Sequence, residues 1–202
     1  RLTVEGPITP GKTSILLSGR RTYIDLLAKP FIQSAIRADG GSGDTGYFFH
    51  DFNAKINHEF SRKDKFYLSA YAGRDKFYFR LRDSYEDGST TTRAGLGWGN
   101  ITTAARWNHL WNSQLFSNVT LTFSDYNFNT LAEVDDQWND GFTDLRDFYS
   151  LQYRSGIQDL GARIDFDYVP HPDHFIRFGA NVIQHNFNPG AFDIEVALFD
   201  SE

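Results

Sequence analysis

Cysteine is absent from the 202 residues. That excludes a disulfide framework, a Cys-based zinc site and a thiol nucleophile. It fits an oxidising compartment without requiring one. No run of about 18 apolar residues occurs, so no transmembrane helix is expected. No long basic block occurs, and the net charge is -6, which argues against nucleic acid as a partner. A nucleophile elbow, a Walker loop and an HExxH motif are also missing. Ser, His and Asp are present, but no spacing singles out a triad, so neither an enzyme nor a cofactor is expected. No charged-then-apolar leader opens the chain at Arg1. The expectation is a chain whose signal was removed, or a fragment.

Aromatic residues, by contrast, are plentiful at 16%, although mean hydropathy is negative. Such a chain results when apolar residues are confined to every second position. The stretch Tyr47 to Phe60, "YFFHDFNAKINHEF", has this form. Phe52, Ala54, Ile56 and Phe60 share one parity, broken by His58. Asp51, Asn53, Lys55, Asn57 and Glu59 take the other. The same alternation runs through "FYLSAYAG", "NITTAARWNHL", "LFSNVTLTFS", "LGARIDFDYV" and "FIRFGANVIQ". These are strands with one apolar and one polar face.

The pattern predicts about eight strands, at 1–5, 12–21, 47–60, 65–79, 98–110, 114–129, 156–169 and 174–188. Most exceed the roughly 5–6 residues usual in globular strands and reach the roughly 9–11 that cross a bilayer at a tilt. The connections "GPITPG", "SRKDK", "WNS" and "PHPD" are short. Long loops are expected between them, at 22–46, 80–97, 130–155 and from 189 onward. Short turns at one end and long loops at the other is the layout of outer-membrane barrels. Aromatics collect near both predicted strand ends: Phe66, Trp107 and Tyr168 at one, Tyr47, Phe48, Phe49, Phe77, Tyr78, Phe79, Tyr126 and Phe128 at the other. Mid-strand positions carry Ala54, Ile56, Ala70, Leu121 and Val182. This arrangement reads as two interfacial girdles around an aliphatic band.

A soluble sandwich or barrel also alternates apolar and polar residues. Strand length, loop alternation and girdles together favour the membrane. The expected fold is all-β, an antiparallel transmembrane β-barrel segment filling residues 1–202. The first strand is cut at Arg1, and "EVALFDSE" offers no convincing final strand. An open sheet in lipid leaves costly unpaired edges, so a larger barrel is expected.

The blocks "TVEGPI…GKTSILLSGRRTYIDLLAKPF", "YFFHDFNAKINHEFSRKDKFYLSAYAGRDKF", "WGNITTAARWNHLWNSQLFSNVTLTFSDYNF" and "DFDYVPHPDHFIRFGANVIQHNFNPG" resemble the barrel region of TonB-dependent outer-membrane receptors. The likeness is to the Bacteroidota type with a carboxypeptidase-regulatory-like domain and a plug. It covers nearly the whole chain but contains no catalytic signature and names no cargo. It implies about eight strands of a 22-stranded barrel, with the plug and N-terminal domains absent from these residues. The implied function is energised uptake of a scarce solute across a Gram-negative outer membrane. The implied partners are outer-membrane lipid, the plug of the same full-length protein and the TonB complex, with a surface lipoprotein left open. The competing readings are a passive pore or structural barrel, and a soluble secreted glycan-binding β-domain.

Two groups of residues carry candidate chemistry. "AEVDDQWNDGFTDLRD" sets Asp135, Asp136 and Asp140 around Trp138 in a predicted outer loop. Its acidic oxygens suit calcium and its ring suits a ligand, but the spacing departs from an EF-hand and a solvated loop is the plainer reading. The polar parity includes Lys55, Arg106, Arg163, Asp165 and Arg177. These are candidate lumen- or plug-facing charges, each more readily a wall contact than a substrate contact. His171 and His174 in "PHPDH" supply only two ligands, an incomplete metal site. Finally, "YIDLLAKPFIQSAI" places Ile24, Leu27, Phe31 and Ala35 at helical intervals and predicts a short helix against the barrel rim or a partner.

Overall fold

The computed structural model describes residues 1–139 and 141–201. They form one antiparallel sheet of eight strands in chain order, each paired with the next. The strands are β1 (Leu2–Thr9), β2 (Thr13–Arg21), β3 (Ser42–Glu59), β4 (Asp64–Tyr85), β5 (Gly88–Leu110), β6 (Leu115–Asn139), β7 (Asp144–His171) and β8 (His174–Ser201). A single helix, α1 (Ile24–Ala38), joins β2 to β3. The all-β antiparallel class expected from the alternation is the class observed. The sheet stays open, with β1 and β8 at its two edges.

Register follows the apolar parity. Ile15, Ile56, Leu68, Ala105, Leu121, Ala162 and Val182 form one continuous row of cross-strand partners. One residue along, Leu16, Lys55, Ser69, Ala104, Thr122, Gly161 and Ile183 form a row on the opposite side. A one-residue slip would exchange the two faces, so the pattern itself specifies the pairing. No irregularity interrupts the four pairings from β2 to β6 or the β6–β7 pairing. A side chain's face is therefore fixed along the full length of these strands.

Three of the predicted long loops are strand. Residues 80–97 continue β4 to Tyr85 and resume in β5 at Gly88, leaving only Glu86 and Asp87 as the turn. Residues 130–155 belong largely to β6 and β7, and the segment from 189 extends β8 to Ser201. Alternation persists through these stretches, but on β4 to β7 the apolar residues change parity, and on β8 they keep theirs while a bulge carries them to the other face. Read as one fixed face, the pattern breaks off. In the β7–β8 pairing, Pro189 and Gly190 bulge opposite Ser155. Gly190 has φ +106°, and the Tyr153 ring packs where a Cβ would stand. Only glycine meets both conditions without strain.

The predicted helix is present, although Pro30 inside it removes one i→i−4 bond. β2 ends at Arg21, opposite His50 of β3, and α1 packs against β3. Arg21 donates to Asp25 at 2.7 Å, and Lys29 donates to Asp44 of β3 at 3.0 Å. Ile36 reaches Gly41. The expected apolar stripe faces outward instead of against the sheet: Ile24, Leu27, Phe31 and Ala35 are exposed. Ion pairs, not that stripe, fasten the helix.

Candidate functional site

No apolar side chain is fully buried among the described residues. The sheet offers two open faces, named here for neighbouring residues of β4. The Ala70 face carries an apolar band. On β3 the band is Phe52–Ile56, between His50 and His58; on β4 it is Phe66–Ala72, between Asp64 and Arg74. On β7 it is Leu160–Tyr168, ending below Gln158; on β8 it is Ile176–Val182, between His174 and Gln184. The band is not level across the register. The row through Phe52, its upper border on β3, reaches β8 at Asn186, above Val182. The row through Ile56, its lower border, reaches β8 at Val182, well above Ile176. The band therefore descends by about one residue per strand, roughly 3.3 Å for each ~4.8 Å of strand spacing. It lies level when the strands lean by about 35°, within the tilt range of membrane barrels.

The Ser69 face at the same height is mostly polar, with Leu16, Ala104 and Ile183 as exceptions, and all five candidate lumen- or plug-facing residues stand on it. Lys55 and Arg106 flank a cleft of about 350 Å³ with Asn57, Tyr67 and Thr120. Arg106 and Arg163 share a second, of about 440 Å³, with Asp165 and Asn181. Arg163 holds Asp165 with two hydrogen bonds, 2.7 and 2.9 Å. Arg177 holds Asp167 at 2.6 and 3.3 Å. Arg20 pairs with Asp51, which also accepts from the Tyr71 hydroxyl at 3.0 Å. Lys55 and Arg106 form no direct ion pair among the described residues, and Arg106 faces Asp165 across the second cleft.

Higher on the same strands the faces exchange character. Tyr47, Phe77, Leu96, Thr130, Tyr153 and Phe192 form one row on the Ser69 face. Phe79, Ala94, Ala132, Leu151 and Ile194 form the next. The Ala70 face at this height carries Arg80, Arg93, Glu133, Asp135 and Arg146. The upper girdle is corrected accordingly: Tyr47, Phe49, Phe77, Phe79, Tyr126 and Phe128 stand on the face opposite the apolar band. Only Phe48 and Tyr78 share its side. At the lower end Phe66, Trp107, Phe166, Tyr168 and Phe178 do lie on the band's face. There His109 sits between Trp107 and Trp111, with ring centroids 5.3 and 4.6 Å away, and bonds Asp64 at 2.6 Å.

The acidic candidates are strand residues, not one loop. Asp135 points to the Ala70 face, where Arg146 donates to it at 2.7 and 3.0 Å. The Arg146 guanidinium, with Gln137 assisting, holds the buried Asp135 carboxyl below the usual carboxylate range. Asp136 and Trp138 point to the Ser69 face. Strand alternation thus separates neighbours that a loop would have let converge. Asp140 lies outside the described residues. No cluster of three metal-ligating side chains occurs among the described residues, and His171 and His174 stand with ring centroids 5.9 Å apart in their turn. Beside Trp138, Tyr85 and Leu145 line a cleft of about 710 Å³ between the β4–β5 and β6–β7 tips. The sequence reading missed the upper aromatic wall. The signal was the switch of parity after Gly73, in "RDKFYFRLRD".

No family model, curated protein or solved structure matches this chain.

Proposed function

We propose that this chain is part of the wall of a transmembrane β-barrel in a Gram-negative outer membrane, and that the full protein is a TonB-dependent importer. The observation that carries the membrane reading is the tilt of the apolar band. A band descending about one residue per strand is level only in a sheet whose strands lean as membrane barrel strands do. A soluble sandwich would bury an apolar face against a second sheet. Here one sheet holds all eight strands and no apolar residue is fully buried among those described. Free edges at β1 and β8 are costly in lipid, so the barrel closes through further strands.

In this reading the Ala70 face meets lipid and the Ser69 face meets the lumen. Lys55 and Arg106, unpaired within the wall, are placed to contact a plug. Nothing covalent happens to the cargo; the barrel binds it, and plug movement admits it. The importer function rests on the family resemblance. The test uses the full-length protein. It should fractionate with outer membrane, shift its gel mobility on boiling, and stay closed in planar bilayers. A freely soluble monomer overturns the barrel reading. A large steady conductance overturns the importer in favour of a passive pore.

A further inference from the structure

The upper Ser69 face is an unpartnered apolar surface with a one-sided charge. Its members include Phe77, Phe128, Tyr153, Leu151, Phe192 and Ile194. Leu151, Phe192 and Ile194 are 44%, 65% and 71% exposed. Exposed apolar area of this extent marks a contact surface. Above the Arg20–Asp51 pair, every charged side chain on this face of β3 to β7 is acidic: Asp75, Asp83, Asp136 and Asp147. The arginines and the lysine at the same height, Lys76, Arg80, Arg93, Arg146 and Arg154 among them, all stand on the other face. Asp136 and Asp147 are direct cross-strand partners, an arrangement that is unfavourable between like charges unless a cation joins them. The Asp136 Oδ1 is buried and accepts no hydrogen bond. The Asp75 carboxylate already accepts from the Tyr47 hydroxyl at 2.6 Å, which leaves the upper border as the open acidic edge.

We propose that this wall binds ligands that carry positive charge on an apolar body, with a basic amphipathic peptide as the type. Charge complementarity selects that occupant. Apolar side chains lie on the Phe77–Leu151–Ile194 surface, ammonium groups reach Asp136 and Asp147, and the rings offer faces to further cations. Which side is the lumen rests on the barrel reading; the surface itself does not.

The test uses the full-length protein in detergent micelles and a fluorescent dodecapeptide of alternating Lys and Leu. Companion peptides replace Lys with Glu or with Gln. The Lys peptide should bind, with added salt weakening it, and the Glu peptide should bind about tenfold or more weakly. The isosteric double variant Asp136→Asn, Asp147→Asn should lose about tenfold for the Lys peptide alone. A second readout is Leu151→Cys in the same micelles. An impermeant maleimide should label the introduced thiol, and the Lys peptide should protect it. Equal binding of the Lys and Glu peptides overturns the proposal, as does an unchanged double variant. So does a Leu151→Cys thiol that is unreactive before peptide is added, because the protein's own chain then covers the wall. Binding by a protein that does not reside in the outer membrane would fail the barrel reading and leave this proposal standing. Outer-membrane residence without binding would do the reverse.

Discussion

Ala70 and Phe77 stand on one unbroken strand, and their side chains leave the sheet on opposite faces. Each belongs to the apolar side at its own height. Between them lie Gly73, Arg74 and Asp75. The exchange needs no bulge, because the β3–β4 and β4–β5 registers run straight through. What changes is which face is apolar: the Ala70 face below, the Ser69 face above.

The lower half of that exchange is tested by an adjacent pair of substitutions. On the proposed barrel reading, Ala70→Arg places a charge on the lipid side near the midplane and should destabilise the protein by about 2–4 kcal/mol. Ser69→Arg should cost far less, because its face already holds Lys55 and Arg106. Denaturant midpoints in lipid vesicles measure both. Equal costs, or the reverse order, would mean that the faces are misassigned.

The Asp135–Arg146 pair gives a pH dependence. The Asp135 carboxyl is held below its ordinary value of 3.8 by Arg146. Its contribution is therefore complete above that value and is lost as pH falls through the lower, folded-state value. Arg146 is 43% exposed, so solvent screens the pair and its effect is confined to local opening. At neutral pH, Arg146→Gln should speed proteolytic nicking between Trp138 and Leu145 roughly fivefold, if nicking follows local opening. As pH falls below 3.8 the difference should shrink, and in stronger acid the parent and variant should converge. No difference at neutral pH, or a difference that persists in strong acid, would contradict this account.

Gly190 tests the bulge. Its positive φ and the Tyr153 ring over it leave no room for a Cβ, while the Tyr153 hydroxyl donates to the Pro189 carbonyl at 2.9 Å. Gly190→Ala should cost about 1–3 kcal/mol and raise hydrogen exchange along the upper β7–β8 pairing. Unchanged exchange there would mean that the bulge does not depend on glycine.

The lower sheet was legible because local and long-range rules agreed. Phe66, Leu68, Ala70 and Ala72 share a parity, and so do the partners that register gives them. The helix was legible too, but not its orientation. Ile24, Leu27 and Phe31 form the conspicuous stripe, while the contacts that hold the helix come from Asp25 to Arg21 of β2, Lys29 to Asp44 of β3 and Ile36 to Gly41, which no hydrophobic pattern picks out. The upper strands are not legible from one fixed apolar face, because the apolar side changes with height. Phe77, Phe79 and Leu81 alternate as cleanly as the lower residues, only one position out of step. Asp135 and Asp136 looked like one acidic site because sequence adjacency was read as proximity. In a strand, adjacency means opposite faces.

The most direct measurement is a nitroxide scan along β4 of the full-length protein in lipid vesicles, from Phe66 to Leu81, reading accessibility to oxygen and to a polar relaxation agent. Labels at Leu68, Ala70 and Ala72 should show high oxygen and low polar-agent accessibility. Labels at Ser69 and Tyr71 should not, and labels at Phe77 and Phe79 should show no lipid contact. Flat profiles, or lipid accessibility at Phe77 and Phe79 matching that at Ala70, would contradict a strand that crosses the membrane with its Ala70 face outward.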